Sequence, residues 1–482
     1  MASPRDLTIR IVGAGMSGLA MGIALKKAGL DDFRILEKAD AVGGTWRENR
    51  YPGLTCDVPS YFYSYSFEPN PDWSHRFSPG PEIHAYFERV AEKYGLLPHV
   101  SFGREVKSAR YADGRWRVGT NAGDEEADVL ILACGPLHQK KYPDFPGMDR
   151  FEGRIFHSAD WPDDLPLEGK RIAVVGTGSS AVQMMAPLSK VASQLTMFQR
   201  TAQWIAPVGN KRYSQATLRR ARALPIIPWI TRRFFQYSFE KFSDAVVVPG
   251  KRREAVAERC RRYLASVPDP ELRAKLTPDY EPMCKRLIMS NTFYPTLQKE
   301  HVALVTEKIQ AIEPEGIRTA DGALHAFDVI VLATGFDAHR WGVDEVVGEH
   351  GRSLKEAWAE GDRSYRSVAF PGFPNFFMLV GPNSPIGNIS LIDVSEVQSR
   401  YIMQCLALLR EGKAREIVPR ADATRAFHAR LMEAMKDTVW VTGCNSWYLD
   451  EHGTPITWPW SADRFHRDMR RPDLGEFELR PT

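Results

Sequence analysis

Residues 8–18 read TIRIVGAGMSG: a β-branched run, then Gly13, Gly15 and Gly18 in the spacing GxGxxG. The next stretch, LAMGIALKKAGL, repeats apolar residues at helical spacing. FRILEK follows, a short apolar run ending at Glu37. Strand, glycine turn, helix and strand make a βαβ unit. Glycine permits the tight turn and close approach of backbone to a pyrophosphate, the helix start offers free N–H groups, and an acid closing the second strand accepts from ribose hydroxyls. Read this way, Gly13, Gly15, Gly18 and Glu37 bind a dinucleotide. The plainer alternative is a glycine loop that only packs a helix on a strand.

A second unit begins at residue 171, RIAVVGTGSSAVQMMAPLSK. Gly176, Gly178 and Ala181 follow a strand pattern and open a helix whose first residues include Ser179, Ser180 and Gln183. The next strand, QLTMFQR, ends at Arg200. Gly13 to Glu37 and Gly176 to Arg200 are both separated by 24 residues. Where the first unit has an acid the second has a base. An arginine there attracts a ribose 2′-phosphate that an acid would repel, so the second unit is expected to prefer NADP, with Thr201 adding a hydroxyl. A solvated strand-end charge is the alternative for Arg200.

The repeat extends further. DVLILACG at 128–135 parallels DVIVLATG at 328–335, and each follows a DG turn, Asp113-Gly114 and Asp321-Gly322. Each βαβ unit is therefore expected to carry its own β-meander and return strand. The extra length of the second unit falls around 212–286, where KRREAVAERCRRYLASV has helical spacing. The fold class expected is α/β: two Rossmann-like dinucleotide-binding domains, for FAD and NADP, with a helical insertion in the NADP domain. The boundaries expected are 1–148 with 375–482 for FAD, 149–211 with 287–374 for NADP, and 212–286 for the insertion. Its charged stems are expected to form a solvated face.

Composition excludes several classes. Of 482 residues, 43% are hydrophobic and 26% charged, an ordinary globular balance. A net charge of +3 and the lack of a basic tract give no reason to expect nucleic acid. Six cysteines occur without a CxxC pair, so no metal site or redox dithiol is expected, and scattered single cysteines suit a reducing compartment. The start has no apolar signal-peptide core, and ALPIIPWI at 223–230 is too short to span a bilayer. A cytoplasmic protein without a membrane span is expected.

Between the two units lies FEGRIFHSADWP, residues 151–162, a linker by position that shows no obvious helix or strand. Together with GGTWRENRYPGLTCD, residues 43–57, it carries a family resemblance. Phe151, Gly153, His157, Trp161 and Pro162 fit FxGxxxHxxxWP, and Gly43, Gly44, Trp46, Tyr51, Pro52, Gly53 and Asp57 fit (A/G)GxWxxxx(F/Y)P(G/M)xxxD. With a glycine turn on each side, the chain resembles the type I Baeyer–Villiger monooxygenases of the class B flavoprotein monooxygenases. The resemblance implies NADPH and O2 as co-substrates, a C4a-peroxyflavin, and insertion of one oxygen atom beside a ketone carbonyl to give an ester or lactone. It implies Arg286, in MCKRL, and Asp57 as the catalytic pair: the arginine stays protonated beside an anionic peroxide and the carboxylate orients it. It places Gly44, Thr45, Trp46, Asp57 and Tyr63 at the flavin, and Gln183 and Lys285 at the second nucleotide. Trp46 and Tyr63 could equally be packing residues, and Arg286 and Asp57 a structural ion pair. FPNFFMLVGPNSPIGN, 373–388, resembles the return strand to the FAD domain, and its loop departs from that of cyclohexanone-type enzymes. CNSWYLDEHGTPITWPW, 444–460, resembles a substrate-side loop of the branch acting on aromatic and open-chain ketones.

Three readings compete with ketone oxygenation. N- or S-oxygenating relatives usually lack the Trp-Pro that ends the fingerprint here. A disulfide-type flavin reductase needs a redox dithiol beside the flavin. A non-catalytic flavin-binding protein stays open. His157 has no second group placed with it that would make it an acid or base, so the fingerprint is expected to act as a hinge, with Phe151, Trp161 and Pro162 stiffening its ends.

Overall fold

The computed structural model describes residues 5–338, 342–359, 364–387, 389–444, 446–450 and 452–481. Asn388, Asn445 and Glu451, within the two C-terminal segments singled out in the sequence, lie outside them.

Two five-stranded parallel sheets carry the architecture. In the first, Ile9–Val12 lies between Phe33–Leu36 and Val129–Leu132. In the second, Arg171–Val175 lies between Gln194–Phe198 and Val329–Leu332. Each central strand runs into a glycine turn and a helix, Met16–Lys27 in one case and Ser179–Leu188 in the other. The strands are buried on both faces, which is why they read as continuous apolar runs.

The internal repeat holds at the level of single residues. Gly13 and Gly176 have φ of 102° and 122°, a region closed to most side chains. A methyl group on either would press on the carbonyl of Ala133 or Ala333, the residues that end the paired return strands. At the other end of those strands, Asp128 accepts from the backbone N–H of Thr8 at 2.9 Å, and Asp328 from that of Arg171 at 2.8 Å. Both DG turns join strands of antiparallel meanders, Val106–Ala112 to Arg115–Thr120 and Gly316–Thr319 to Leu324–Ala326.

The outer strands tie distant segments in. Phe376–Met378 adds to Val129–Leu132 in the first sheet. Arg154–His157 adds to Val329–Leu332 in the second. The fingerprint is thus no plain linker: its RIFH is an edge strand. Its spacing hid this because only half of a four-residue edge strand meets the core.

The 212–286 segment holds four helices, Gln215–Ala223, Ile226–Val247, Lys251–Ala265 and Pro270–Lys275. Its outward side exposes large apolar side chains as well as charged stems, so it is not simply a solvated charged face. No described helix is long and apolar enough to cross a membrane.

The expectation for the cysteines also fails. The cysteines are not all single: Cys284 and Cys444 form a disulfide, with Cα atoms 6.1 Å apart and 160 residues between them. A pairing over that separation leaves no spacing pattern to read. Cys56, Cys134, Cys260 and Cys405 are free.

Candidate active site

A cavity of about 460 Å³ runs between the two sheets and touches both glycine turns. Gly13, Gly15, Glu37, Asp57 and Arg286 all line it. Gly178, Ser179, Ser180 and Gln183 enter from the second unit. Neither helix start has a side-chain cap, so the N–H groups of both first turns remain available to an anion.

Glu37 is buried, and its two oxygens accept from the N–H of Ala14 at 2.6 Å and of Ala39 at 2.9 Å. Each oxygen keeps a lone pair for a further donor. Gly44, with φ of 53°, brings the Gly-Gly turn against Gly15, and the short helix Thr45–Glu48 follows. From it Trp46 Nε1 donates to the Tyr63 hydroxyl at 2.9 Å, and the two rings meet edge to face at 5.6 Å. Thr45, Trp46 and Tyr63 all line the cavity. Gly18 does not, because it packs its helix against the turn at Gly13.

The predicted ion pair is formed. Arg286 donates to Asp57 Oδ2 through Nε at 2.9 Å and through Nη2 at 2.5 Å. Its side chain is about a third exposed, toward the cavity it lines. Burial disfavours its charge, but Asp57 and the Tyr448 side chain outweigh this and drive its pKa above the ordinary arginine value. It stays a cation at every working pH. Tyr448 was not singled out beforehand. It reaches Arg286 from the C-terminal loop, where it fills the space left by the absent side chain of Gly387. Trp447, beside it, lines the cavity. The Cys284–Cys444 bond joins the segments that carry Arg286 and Tyr448, and neither cysteine lines the cavity.

The second unit's basic residues lie off the main cavity. Arg200 is exposed, and Thr201 accepts through its carbonyl from the Thr177 hydroxyl at 2.7 Å. Lys285 sits 4.5 Å over the Tyr280 ring, and burial lowers its pKa, opposed by Asp279 and assisted by Arg200. Gln183 has a task the sequence did not assign: it accepts from the Tyr51 hydroxyl at 2.9 Å and donates to the Thr55 carbonyl at 2.9 Å. Gly53 lets the same loop rest on the Gln183 backbone. The Tyr-Pro-Gly of the second motif therefore docks one unit on the other, and Tyr51 and Gly53 were visible in that motif.

His157 is fully buried. Its Nδ1 accepts from the Ala159 N–H at 3.2 Å, so the proton sits on Nε2, which donates to the Gly335 carbonyl at 3.0 Å. Its ring lies 5.5 Å from both Tyr142 and Phe336. These belong to the two strands of chain passing between the sheets, which pair with each other through Lys141 N–H to Gly335 O at 3.0 Å and Asp337 N–H to Gln139 O at 2.8 Å. Phe151 packs in the second unit's core, and Trp161 meets Phe156 edge to face at 5.3 Å. Gly153 has no room for a side chain between Phe151 and Asp328, and Pro162 follows Trp161.

Two nucleotide-type glycine turns facing one cavity define a two-dinucleotide flavoprotein oxidoreductase. The comparisons narrow the class. The pyridine nucleotide-disulphide oxidoreductase family profile matches residues 10–227. A Baeyer-Villiger monooxygenase of Streptomyces coelicolor is 41% identical over 98% of this chain and 93% of its own length. One from Pseudomonas aeruginosa is 35% identical over 100% and 93%. An oxidized steroid monooxygenase bound to NADP superposes with a TM-score of 0.89 at 30% identity, covering 99% of this chain and all of that one. The chain belongs to the Baeyer–Villiger monooxygenases: it is an NADPH- and O2-dependent flavin monooxygenase.

Proposed function

We propose that Arg286 and Asp57 are the catalytic pair of a ketone-oxygenating enzyme that holds FAD and NADP in this cavity. The cavity fits both groups. Gly15 and Gly178 line it with no side chain to fill the cradle, two uncapped helix starts face it, and Glu37 has free lone pairs. When bound, reduced FAD supplies activated oxygen to the ketone carbon. Gly13, Gly15, Gly18, Glu37, Gly44, Thr45, Trp46, Asp57 and Tyr63 serve the FAD side. Gly176, Gly178, Ser179, Ser180, Gln183, Arg200, Thr201 and Lys285 serve the NADP side, with Arg200 and Lys285 at the 2′-phosphate. Arg286 holds a fixed positive charge where negative charge develops, and Asp57 and Tyr448 fix its direction. Apolar groups including Ile386, Ile389 and Trp447 restrict water on that side.

The division proposed is 1–148 with 375–482 for FAD, 149–211 with 287–374 for NADP, and 212–286 as a helical insertion, except that Glu345–Val347 pairs with Val106–Ala112 of the first unit's meander and so draws the return to the FAD side back before residue 345. Strand 376–378 in the first sheet and strand 154–157 in the second support it. Phe151, Gly153, His157, Trp161 and Pro162 form the hinge on the paired crossings. NADPH supply places the enzyme in the cytoplasm, and burial of Cys284 and Cys444 shields their bond from thiol exchange there.

The carrying observation is the Arg286–Asp57 pair opening on the cavity that both glycine turns share. Purified enzyme with NADPH and oxygen-18 gas, offered aromatic, open-chain and cyclic ketones, one thioether and one amine, should yield labelled ester or lactone from a ketone. Label only in sulfoxide or N-oxide would replace this reading with the soft-nucleophile one.

A further inference from the structure

The helix Ile226–Val247 faces two ways. Inward, Phe239, Phe242 and Val246 line a small cavity beside Arg286, Lys285 and Tyr448. Outward, Ile226, Trp229, Ile230, Phe234 and Tyr237 are each more than half exposed, as is Leu224 just before it. At 3.6 residues per turn these five fall on one side of the helix, with Arg233 among them. Scattered exposed apolar residues are ordinary, but a contiguous stripe of large ones marks a contact surface.

The charge around the stripe identifies its partner. Residues 211–239 contain seven Lys or Arg and no Asp or Glu; Arg232 is buried beside Asp393, and the other six are exposed. That excess is larger than the formal net charge of the whole chain, +3, so the remainder is net negative. An anionic plane therefore attracts this basic stretch. Arg219, Arg220 and Arg222 are exposed on the preceding helix, and Arg222 also meets Asp72. A second copy of the chain is the wrong occupant, because a two-fold contact would set this basic surface against itself.

We propose that the outer face of this helix pair lies on an anionic lipid bilayer. The aromatic and aliphatic side chains enter the boundary between headgroups and acyl chains, and the arginines reach the lipid phosphates. The helix lies in the plane of the surface, consistent with the absence of a spanning segment among the described residues. Because its inner face borders the small cavity beside Arg286, docking brings the lipid surface to within the thickness of this helix of the catalytic pair. That last step rests on the proposed role of Arg286. Docking does not.

The test is flotation of the full-length, FAD-loaded enzyme with vesicles of phosphatidylglycerol and phosphatidylcholine, or of phosphatidylcholine alone. Binding should be at least about tenfold stronger to the anionic vesicles and should fall in high salt. Trp229→Ser with Phe234→Ser, and separately Arg219→Glu with Arg220→Glu, should each abolish flotation. FAD content and turnover of a water-soluble ketone should stay unchanged. No binding to anionic vesicles, equal binding to neutral ones, or retained flotation in both variants would overturn the proposal. So would wild-type self-association that the aromatic variant removes, which would make the face a homo-oligomer contact. Vesicle binding by an enzyme that oxygenates no ketone would leave docking standing and remove the catalytic reading.

Discussion

Asp57 takes both N–H groups of Arg286 on the same oxygen, Oδ2, through Nε at 2.9 Å and Nη2 at 2.5 Å. The guanidinium is thus held along one edge, and the Tyr448 side chain takes a further donor. Arg286→Ala should keep FAD yet lose about 10²–10³-fold in kcat for ester formation, the usual loss on removing one preorganised donor. Arg286→Lys should recover part of that, since charge remains but the fork does not. Asp57→Asn should fall between them. Ester yield and NADPH consumption, measured together, check this, and unchanged ester synthesis in Arg286→Ala would overturn it.

Arg200 stands exposed at the end of its strand, where the first unit has Glu37. A lost charge-assisted hydrogen bond is worth about 1.5–3 kcal/mol, roughly 10- to 100-fold in affinity. Arg200→Ala should therefore raise KM for NADPH by that factor and leave KM for NADH nearly unchanged. Initial rates with the two coenzymes decide it. An equal change for both would return Arg200 to a solvated strand end.

How much of this was legible in the sequence depends on range. The two βαβ units, the offset of 24 residues and the DG turns are local patterns, and the structure realises them to the level of Asp128 and Asp328. The pairing of Asp57 with Arg286 followed from a family resemblance, since 229 residues separate them. What was hidden is long-range or shared between elements. The edge strand of the fingerprint exists only because Val329–Leu332 offers a partner. Tyr448 finds Arg286 through space left at Gly387. Gln183 reads as a nucleotide contact because it follows a glycine turn, and spacing within its own helix cannot show that its amide also meets Tyr51 and Thr55.

The Cys284–Cys444 bond predicts a thiol count. Denatured enzyme should react at four cysteines without reductant and at all six with it. Closing so long a loop contributes up to about 5 kcal/mol in the chain-entropy account. Cys444→Ser should lower Tm and, by loosening the loop that carries Tyr448, lower kcat more than it changes KM for NADPH. Six reactive thiols without reductant would show the bond absent in solution.

His157 gives a pH prediction with a definite sign. Burial lowers its pKa from the ordinary value, and the Gly335 carbonyl and Asp160 only partly oppose this. The unfolded chain therefore takes up a proton near pH 6.5 that the folded one resists. Its contribution to stability is whole above that pH and is lost as pH falls through the folded value. His157→Gln removes the titrating group, so the difference in Tm between wild type and variant should shrink as pH drops from 8 toward 5. His157→Ala should cost about 1–3 kcal/mol by leaving the Ala159 N–H unpaired, while the Gly335 carbonyl loses one of its two donors and keeps the Lys141 N–H. It should also slow NADPH-driven turnover while FAD content stays normal, because the ring touches both crossings between the sheets, at Tyr142 and Phe336. A Tm change with an unchanged rate would leave His157 a structural residue of the second sheet, and the hinge would have to be sought in the paired crossings alone.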